Sequence, residues 1–514
     1  MNGAESLLQT LVACGVDTCF TNPGTSEMHF VAALDRVPGV RAILGLQENV
    51  VTGAADGYAR MLGKPAATLL HLGPGLANGL ANLHNAKRAG SPMVNVIGDH
   101  ATVHAHLEAP LASDVEGVAR PFSHWVRTSP SARSVASDAA EAVAAAQGPP
   151  GRIASLILPA DTAWNESAGP VEPVAKPSSQ APPSSAIDAV AKALRSGEPA
   201  GIVLNGGGLG ASELRLAAQI REATNVELFC ETFFARLPRG VSHPAIERLP
   251  YFGEQCAERI AHLKHLVLVH AKPPVSFFAY PGKPSELTAA HTQVHVLVEP
   301  NEDAGLALDS LASALGVDLS QAPPLPAASR PQRPTGALNP VAIATAVGAL
   351  LPEAAIVVDE ANTSGAALLP CTAGGPDHDW MYTCGGAIGQ GMPAATGAAV
   401  ACPDRRVLSL QADGSAMYTL QSLWTQARCG LDVTTVIFSN RSYAILNVEL
   451  SRVGAQGSET ARDLFDLARP ELDFARLAEG MGVPACRATT AEEFATALEQ
   501  SFSEPGPQLI DAVL

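Results

Sequence analysis

Short runs of β-branched and aliphatic residues alternate with longer alanine-rich stretches along almost the whole chain. A short run that is apolar throughout is typical of a strand buried on both faces, and the alanine-rich stretches are long enough for helices. Strands and helices in alternation predict parallel sheets covered by helices, because neighbouring parallel strands need a crossover connection. The clearest runs are residues 67–70, 93–97, 201–204, 266–269, 355–358 and 433–438.

Two segments interrupt this alternation. Residues 171–185 and 320–334 are rich in Pro, Ala and Ser and poor in large apolar side chains, which is the composition of linkers. They divide the 514 residues into three parts of ordinary domain size. We therefore predict an α/β protein with three doubly wound parallel-sheet domains, at residues 1–170, 187–320 and 336–514.

The composition limits the possible partners and compartment. The chain is 47% hydrophobic and 16% charged, which provides enough apolar material for several buried cores. Subtracting 50 Asp and Glu from 33 Lys and Arg gives a formal charge of −17, the wrong sign for binding nucleic acid or an anionic membrane surface. The nine cysteines form no CxxC pair, and neither a basic, apolar leader nor a membrane-length apolar run is evident. These features predict a cytoplasmic protein with reduced thiols.

The most specific polar pattern is in the C-terminal part. One predicted strand leads into Asp413, Gly414 and Ser415, and the next leads into Asn440, 27 positions after Asp413. A carboxylate and an amide oxygen at the ends of adjacent parallel strands can share one hard divalent cation with diphosphate oxygens. Gly414 lets the backbone approach a phosphate, and Ser415 can donate from the start of a helix. Taken alone, Asp413 and Asn440 are also explained by an ordinary helix cap and a turn.

The sequence around these residues resembles the metal and diphosphate motif of thiamine-diphosphate-dependent enzymes. Ala412 and Ser439 replace the usual Gly and Asn of that motif, at positions that supply no ligating side chain. The resemblance implies that the side chains of Asp413 and Asn440 bind magnesium. It further implies a third magnesium ligand, the carbonyl of Ser442, and contacts to the diphosphate from Gly414, Ser415 and Tyr443.

Two further loops of the C-terminal part are similar to the same family. The loop after its first predicted strand contains Asn362 and Thr363, which by resemblance donate hydrogen bonds to phosphate oxygens. The glycine-rich residues 385–395 resemble the loop that grips the aminopyrimidine ring. There, the resemblance implies that Gly386 accepts a hydrogen bond from the 4′-amino group and that Ile388 wedges the cofactor into its bent shape.

The N-terminal part provides a candidate acid. Thiamine chemistry begins with loss of a weakly acidic proton from the thiazolium ring, and a carboxyl group that protonates the pyrimidine ring assists this step. Glu48 follows a predicted strand, and residues 48–60 resemble the helix that carries the catalytic glutamate of the family. Considered alone, Glu48 is also explained as a carboxylate that faces a helix dipole.

Residues 22–27 and 70–75 are similar to benzoylformate decarboxylase in particular. By that resemblance Thr25 and His71 face the substrate, although a core histidine is the alternative for His71. A separate group of three histidines could consist of surface residues, contain a proton shuttle or bind zinc, and zinc is disfavoured because no fourth ligand lies at a usual spacing. These residues are His100, His104 and His106.

The middle part contains weaker signals. Residues 206–211 follow a predicted strand and match the G-x-G-x-x-A pattern of nucleotide-binding turns. Acetolactate synthases carry FAD in this domain whereas related decarboxylases do not, and we predict that FAD is absent here. At residues 273–280 the resemblance to benzoylformate decarboxylase continues, but Ala279 stands where that enzyme has a catalytic histidine. A different substrate or reaction is therefore implied.

The resemblance places a substrate pocket beside the start of the helix that follows Tyr443. Its predicted members are Ile445, Leu446 and Glu449. Glu449 stands where acetolactate synthase has the tryptophan that selects its acceptor, so an acidic pocket wall is one interpretation. A solvated helix charge is the other.

The resemblance covers nearly the whole chain and implies a lyase or transferase that depends on thiamine diphosphate and Mg²⁺. The expected reaction is decarboxylation of a 2-oxo acid, or acetolactate synthase-like transfer of its acyl group to an aldehyde or ketone. Lyase or hydrolase action without decarboxylation, or a catalytically weak cofactor-binding paralogue, are the alternatives. The family also implies a homodimer or homotetramer with its active sites at the dimer interface.

Overall fold

Three β-sheets flanked by helices follow one another along the chain in the computed structural model, which describes residues 1–455 and 457–514. Almost all neighbouring strands are parallel, and the predicted α/β fold class is confirmed. None of the helices in the described residues is long and apolar enough to cross a membrane. The exact domain boundaries given above remain predictions.

The N-terminal sheet has six parallel strands. Its strands are β1 (Thr18–Thr21), β2 (Arg41–Leu44), β3 (Ala66–Leu70), β4 (Met93–Asp99), β5 (Trp125–Thr128) and β6 (Ile153–Pro159). Its helices are α1 (Gly3–Ala13), α2 (Met28–Leu34), α3 (Glu48–Leu62), α4 (Leu72–Ala89), α5 (Val115–Ala119), α6 (Val135–Ala146) and α7 (Ala160–Trp164). In space the strand order is β2-β1-β3-β4-β6-β5. Because β1 and β3 are neighbours, the loops that follow them meet at one edge of the sheet.

The central sheet has five parallel strands. The strands of this part of the chain are β7 (Ala200–Leu204), β8 (Glu227–Cys230), β9 (Arg236–Arg239), β10 (Glu247–Arg248), β11 (His265–Val269) and β12 (Gln293–Val298). Its helices are α8 (Ser184–Arg195), α9 (Ala211–Thr224), α10 (Gly253–Ile260) and α11 (Ala304–Leu315). The sheet is ordered β10-β8-β7-β11-β12, and β9 lies outside it.

The C-terminal sheet has seven strands, six of them from the C-terminal part itself. These six are β13 (Ile356–Glu360), β14 (His378–Tyr382), β15 (Val407–Ala412), β16 (Val433–Ser439), β17 (Ala485–Ala488) and β18 (Gln508–Val513). The helices are α12 (Pro340–Leu350), α13 (Leu368–Thr372), α14 (Gly391–Ala401), α15 (Asp413–Ala416), α16 (Ser422–Cys429), α17 (Ala444–Arg452), α18 (Glu459–Asp463), α19 (Phe474–Gly480) and α20 (Ala491–Ser503). The spatial order is β17-β18-β16-β15-β13-β14-β9.

The seventh strand of the C-terminal sheet, β9, comes from the central part of the chain. It pairs antiparallel with β14, and Leu237 lies opposite Trp380. The Arg236 guanidinium donates from Nε to Asp379 Oδ1 at 2.7 Å, and this ion pair fixes the position of the edge strand. The alternation of apolar runs and helices did not predict this pairing, since it indicates only parallel neighbours within one part of the chain.

Helices α3 and α14 bring the N-terminal and C-terminal sheets together. A Cβ at Gly57 would lie 2.0 Å from the carbonyl oxygen of Ala394, and one at Gly397 would lie 1.8 Å from that of Ala54. Glycine at both positions therefore lets the two helix backbones touch. One apolar core extends across this contact. It includes Phe20, Val51 and Leu70 from the N-terminal part and Ile356, Ala395 and Val407 from the C-terminal part.

Candidate active site

Strands β15 and β16 are parallel neighbours, so the residues that follow them lie side by side at one edge of the C-terminal sheet. Asp413 follows β15, and its carboxylate joins the two strand ends. Its Oδ1 accepts a hydrogen bond from the Gly414 N–H at 2.7 Å, and its Oδ2 accepts one from the Arg441 N–H at 2.6 Å. Asp413 is 2% exposed, and this burial raises the pKa of its carboxyl group. A cation bound here would offset the cost of burying the charge.

The turn after β16 brings four of the predicted residues together. Arg441 has a φ of 55°, in the left-handed region that non-glycine residues rarely adopt and that is often found at ligand sites. The Asn440 Oδ1 accepts a hydrogen bond from the Ser442 N–H at 3.0 Å. The Tyr443 ring lies over Gly414, where a Cβ would be 2.4 Å from a ring carbon, so only glycine fits at that position.

A second loop reaches the same edge from β13, the other neighbour of β15. Asn362 in this loop has a φ of 51°, a conformation that Asn tolerates better than most residues. Its Nδ2 donates a hydrogen bond to the Ser415 Oγ at 2.9 Å. Asn362 and the following Thr363 are exposed, so their polar atoms can reach a ligand. The structure thus joins the two loops that the sequence suggested for binding phosphate.

The glycine-rich loop before α14 is fixed by a carboxylate that sequence reasoning missed. The buried Glu360 accepts hydrogen bonds from the backbone N–H groups of Gly389 at 2.8 Å, Gln390 at 3.4 Å and Gly391 at 2.7 Å. Burial raises the pKa of Glu360 to about 7, although these hydrogen bonds act in the opposite direction. Within the loop, Gly386 has a φ of 77° and is exposed, while Ile388 is partly buried.

Helix α4 holds the same loop from the other side. The Asn82 Nδ2 donates to the Gly389 carbonyl at 3.1 Å, and the Asn85 Nδ2 donates to the Ala387 carbonyl at 2.8 Å. The two asparagines are three positions apart, so they lie on one face of the helix. These contacts connect the N-terminal part to the loop that contains Gly386.

Glu48 is the first residue of α3, whose start is capped by the Gln47 side chain. It is 8% exposed, and its Oε2 accepts a hydrogen bond from the Asn78 Nδ2 at 3.1 Å. Gly75 lies between Glu48 and His71. A Cβ at Gly75 would be 3.3 Å from the Glu48 Oε1 and 3.2 Å from the His71 Cβ. Glu48 and His71 therefore belong to one cluster.

His71 follows β3, and its ring is bonded to a buried carboxylate from the loop after β1. Its Nδ1 lies 2.8 Å from the Glu27 Oε2 and 3.2 Å from the Ser26 Oγ. Glu27 is 4% exposed, and it packs so closely on Gly98 that no side chain fits there. A carboxylate at Nδ1 fixes the ring orientation and leaves Nε2 available for a substrate. Thr25, in the same loop as Glu27, is exposed.

Glu27 lies in the segment 22–27 that resembles benzoylformate decarboxylase, but the sequence alone assigned it no role. A signal was present, because β1 and β3 could be expected to be neighbours and the residues after both strands then converge. Within residues 1–455 and 457–514, no hydrogen bond or ion pair joins Glu48 or His71 to Asp413 or Asn440.

The predicted pocket residues Ile445, Leu446 and Glu449 lie on α17, which begins directly after Tyr443. Leu446 is exposed and Ile445 is partly buried. The Glu449 Oε2 accepts a hydrogen bond from the Tyr280 hydroxyl at 2.5 Å and lies 3.4 Å from the Arg452 Nε. Glu449 therefore binds α17 to the central part of the chain, a contact that the sequence did not predict.

The three histidines considered for zinc lie in the segment that follows β4. The rings of His100 and His104 are 5.7 Å apart between centroids, and His104 and His106 are exposed. Across the part of the chain that the structure describes, no group of three or more His, Cys, Asp or Glu side chains is arranged to hold a metal ion. Surface residues and a proton shuttle remain the interpretations of this group.

The glycine turn after β7 is crowded by its own neighbours. A Cβ at Gly207 would lie 3.2 Å from the His270 ring, and one at Gly210 would lie 2.1 Å from the Glu213 Oε2. A second carboxylate, that of Glu231, is bonded to the Asn205 side chain just before the turn. Two carboxylates near the start of α9 oppose the binding of a diphosphate at this helix end.

The comparisons with known proteins agree with the expectation of a thiamine-diphosphate enzyme. The family model of the thiamine pyrophosphate enzyme N-terminal TPP binding domain matches residues 1–118, and that of the C-terminal TPP binding domain matches residues 362–512. The chain belongs to the thiamine pyrophosphate enzyme family.

Relatives of this chain include acetolactate synthase-like and decarboxylase proteins. IlvX of Mycobacterium tuberculosis H37Rv, provisionally named an acetolactate synthase large subunit, is 56% identical over 518 residues, 100% of this chain and 99% of that protein. Benzoylformate decarboxylase of Pseudomonas aeruginosa PAO1 is 30% identical over 97% of this chain and 96% of that enzyme. The structure of Rhodococcus jostii RHA1 thiamine diphosphate-dependent 4-hydroxybenzoylformate decarboxylase has the same fold, with a TM-score of 0.86, 24% identity and coverage of 100% and 99%.

Proposed function

We propose that the protein is a thiamine-diphosphate- and magnesium-dependent enzyme that decarboxylates a 2-oxo acid and passes the acyl group to a proton or to an aldehyde or ketone. The observation that carries this proposal is the hydrogen bond between Asn362 and Ser415, which joins the two predicted phosphate loops. The loop of Ser415 also carries Asp413, and the Asp413 carboxylate is bonded to the turn that contains Asn440, so the predicted metal ligands lie beside these loops. Relatives named for acetolactate synthesis and benzoylformate decarboxylation support a 2-oxo acid substrate.

The residues at this edge of the sheet fit Mg²⁺. Asp413 offers a carboxylate, Asn440 an amide oxygen and Ser442 a backbone carbonyl, and Mg²⁺ prefers such oxygen donors together with phosphate oxygens. The Asn440 Oδ1 already accepts one hydrogen bond, but a carbonyl oxygen has a second lone pair for the cation. Among the residues that the structure describes, no cationic side chain is bonded to the buried Asp413 carboxylate, and a metal ion would supply the missing positive charge.

The same edge would hold the cofactor. Asn362, Thr363 and Ser415 would donate to the diphosphate, and the close Tyr443 ring explains the need for glycine at position 414. The carbonyl of Gly386 would accept from the aminopyrimidine, and Ile388 would support the ring. When bound, thiamine diphosphate supplies the electron sink for the carbanion left by decarboxylation.

The N-terminal cluster supplies the groups that handle protons. Glu48, oriented by Asn78, would hold a proton at the pyrimidine ring. His71, oriented by Glu27, would present Nε2 to the reacting carbon or the substrate carboxylate, with Thr25 beside it. Because Glu48 and His71 are neighbours around Gly75, one site can use both.

We also propose that the central sheet binds no FAD. The His270 ring and the carboxylates of Glu213 and Glu231 crowd the glycine turn where the phosphates of a dinucleotide would bind. Purified protein should therefore show no flavin absorbance. A stoichiometric yellow chromophore would overturn this part of the proposal.

The decisive test is turnover with a panel of 2-oxo acids. Protein stripped with a chelator and then given Mg²⁺ and thiamine diphosphate should release CO₂ from at least one of them, and mass spectrometry should identify an aldehyde or a ligated product. Protein that retains full activity after stripping would contradict the cofactor assignment. Cleavage without CO₂ would instead indicate a lyase or hydrolase, and bound cofactor without any turnover would indicate a catalytically weak paralogue.

The assembly that we propose is a homodimer, or a homotetramer made of two such dimers, in which Glu48 of one chain completes the Asp413 cluster of its neighbour. Among the described residues, no hydrogen bond or ion pair joins Glu48 or His71 to Asp413 or Asn440, which is compatible with this arrangement. Co-expression of Glu48→Gln and Asp413→Ala chains then gives about half mixed dimers, each with one intact site, and should recover about a quarter of wild-type activity. Mixed dimers no more active than the parents would place the site within one chain.

A further inference from the structure

The segment between β11 and β12 reaches from the central sheet to the loop that contains Gly386. A Cβ at Gly386 would lie 2.8 Å from the Phe277 Cζ and 3.2 Å from its Cε2. Apart from atoms of the residues adjacent to Gly386, these are the only atoms of the described chain within 4 Å of that point. The Phe277 ring is therefore the side chain that stands beside the position proposed for the aminopyrimidine.

The Phe277 ring is held on one side by an aromatic cluster, which consists of Phe233, Tyr251, Phe277, Phe278 and Tyr382. Its centroid lies 5.4 Å from that of Phe233, 5.8 Å from that of Tyr251 and 4.7 Å from that of Phe278. Aromatic rings at these separations attract one another and restrict each other's rotamers. Phe277 nevertheless remains 42% exposed, so the ring has a packed side and an open side.

A polar contact fixes the same segment to α17. Tyr280, three residues after Phe277, donates its hydroxyl to the Glu449 Oε2 at 2.5 Å. The Arg452 guanidinium lies 4.8 Å from the Tyr280 ring centroid, and its Nη2 donates to the Glu254 Oε2 at 3.0 Å. Glu449 thus acts on the segment from the helix that also carries Ile445 and Leu446.

We propose that Phe277 is the residue that limits the size of the substrate side chain, with Glu449 as a positioning residue that acts through Tyr280. This inference rests on the proposed function and names one wall of its pocket. The edge of the ring, at Cζ and Cε2, lies against Gly386, and in this proposal the group attached to the 2-oxo carbon fits beside that edge. A small aliphatic group fits beside the ring, whereas a branched or aromatic group clashes with it.

The test compares holoenzyme variants on 2-oxo acids whose side chains grow from methyl to branched aliphatic and phenyl. Phe277→Ala should raise the ratio of kcat/KM for the phenyl substrate over the methyl substrate by about tenfold or more, the usual scale for fitting apolar groups in a pocket. Phe278→Ala is the matched control, because Phe278 is 55% exposed, belongs to the same cluster and does not lie within 4 Å of the Gly386 position. It should leave the ratio unchanged.

A binding measurement separates failure of this inference from failure of the proposed function. Calorimetric titration with the unreactive 2-hydroxy acids lactate and mandelate should show the same shift toward the larger ligand in Phe277→Ala, while a titration with thiamine diphosphate checks that the variant still binds the cofactor. If no 2-oxo acid is turned over, the proposed function fails and the titration still decides the role of Phe277. An unchanged preference in both assays overturns the inference.

Glu449 is tested by its effect on the position of Phe277. Glu449→Gln and Tyr280→Phe should each raise KM for the preferred substrate, with a smaller effect on kcat. Like Phe277→Ala, each should also raise the relative activity on substrates with larger side chains. Adding either change to Phe277→Ala should then have no further effect on the substrate range. If Phe277→Ala does not fold, Phe277→Leu gives the same comparison with a smaller volume change. Additive effects of Glu449→Gln and Phe277→Ala would mean that Glu449 acts independently.

Discussion

The two polar clusters of this chain occupy equivalent places, at the carboxyl ends of parallel sheets, yet their carboxylates are held differently. In the C-terminal cluster, both oxygens of Asp413 accept hydrogen bonds from backbone N–H groups. In the N-terminal cluster, Glu48 is bonded to the Asn78 side chain and Glu27 to the His71 ring. Hydrogen bonds from backbone N–H groups hold the Asp413 carboxylate in one orientation and oppose the rise in its pKa that burial causes, whereas side-chain partners allow a proton to be held or moved.

We infer that the position on the fold decides where a ligand binds, whereas the hydrogen-bond partners of each carboxylate decide what that carboxylate does. Parallel sheets provide the same edge in both places. We propose that Asp413 is a ligand for a cation and that Glu48 and the Glu27–His71 pair take part in acid–base chemistry. Changes to the two clusters should therefore produce different losses.

The largest effect should follow from Asp413→Ala. Loss of the carboxylate removes a proposed ligand, so turnover should fall by more than the roughly 100-fold typical of changes to the groups that support a metal. Calorimetry should show that Mg²⁺ and thiamine diphosphate no longer bind together. The control is Asp309→Ala, which removes an exposed carboxylate on α11 and should change neither quantity. Tight cofactor binding by Asp413→Ala would remove the metal role from this residue.

A second change, Glu48→Gln, should lower turnover by about a hundredfold while cofactor binding persists, because the amide keeps the shape but cannot protonate a ring nitrogen. The measurement is hydrogen–deuterium exchange at the thiazolium carbon, followed by NMR, alongside cofactor affinity. Exchange as fast as in the wild type would show that Glu48 has another task.

A smaller effect is expected for Glu27→Gln, a positioning change. The His71 ring loses a charged partner but remains in place, so kcat should fall by about tenfold, equal to about 1.4 kcal/mol of barrier, with KM nearly unchanged. Ser26→Ala removes the weaker contact to the same ring nitrogen, at 3.2 Å, and should cost less. Equal losses in the two variants would mean that the charge of Glu27 is not what orients His71.

The smallest change should be one of stability and its pH dependence. Burial raises the pKa of Glu360 from 4.5 to about 7, so Glu360 contributes stability that is fully present below pH 4.5 and is lost as the pH rises through about 7. Glu360→Gln does not titrate, so the wild type should lose stability relative to this variant over that range. Urea midpoints of the apoproteins at pH 4.5 and 7.5 measure this difference. A difference that stays constant with pH would contradict the raised pKa.

Much of the fold was accessible from the sequence because its signals are local. Apolar runs such as residues 433–438 mark buried strands, and polar residues directly after them mark ligand-binding edges. Asp413 and Asn440 were placed in this way, and Asn362 by resemblance to a phosphate loop of the family; the structure brings the loops that contain them together. Their roles as ligands remain predictions until the variants above are measured.

The missing parts depend on contacts between distant residues. Glu27 and His71 are 44 positions apart, and Tyr280 and Glu449 are 169 apart, so neither pair leaves a periodic trace in the sequence. Glu360 lies at the end of a predicted strand, but its three backbone donors come from a loop about 30 residues away. Strand periodicity does not predict that this loop folds back onto Glu360. The antiparallel position of β9 was missed for the same reason.

The edge strand β9 also affects the order in which the protein can be completed during synthesis. Arg236 and Asp379, which form an ion pair across this edge, are 143 residues apart. At about 5 to 20 residues per second, β9 leaves the ribosome roughly 7 to 30 s before β14 is available to pair with it. During that interval its backbone groups are open to pairing with other chains, and Arg236 and Arg239 provide the charges that discourage it. Until the C-terminal sheet has been translated, β9 therefore has no strand of that sheet to pair with, and the two arginines disfavour its pairing with other chains.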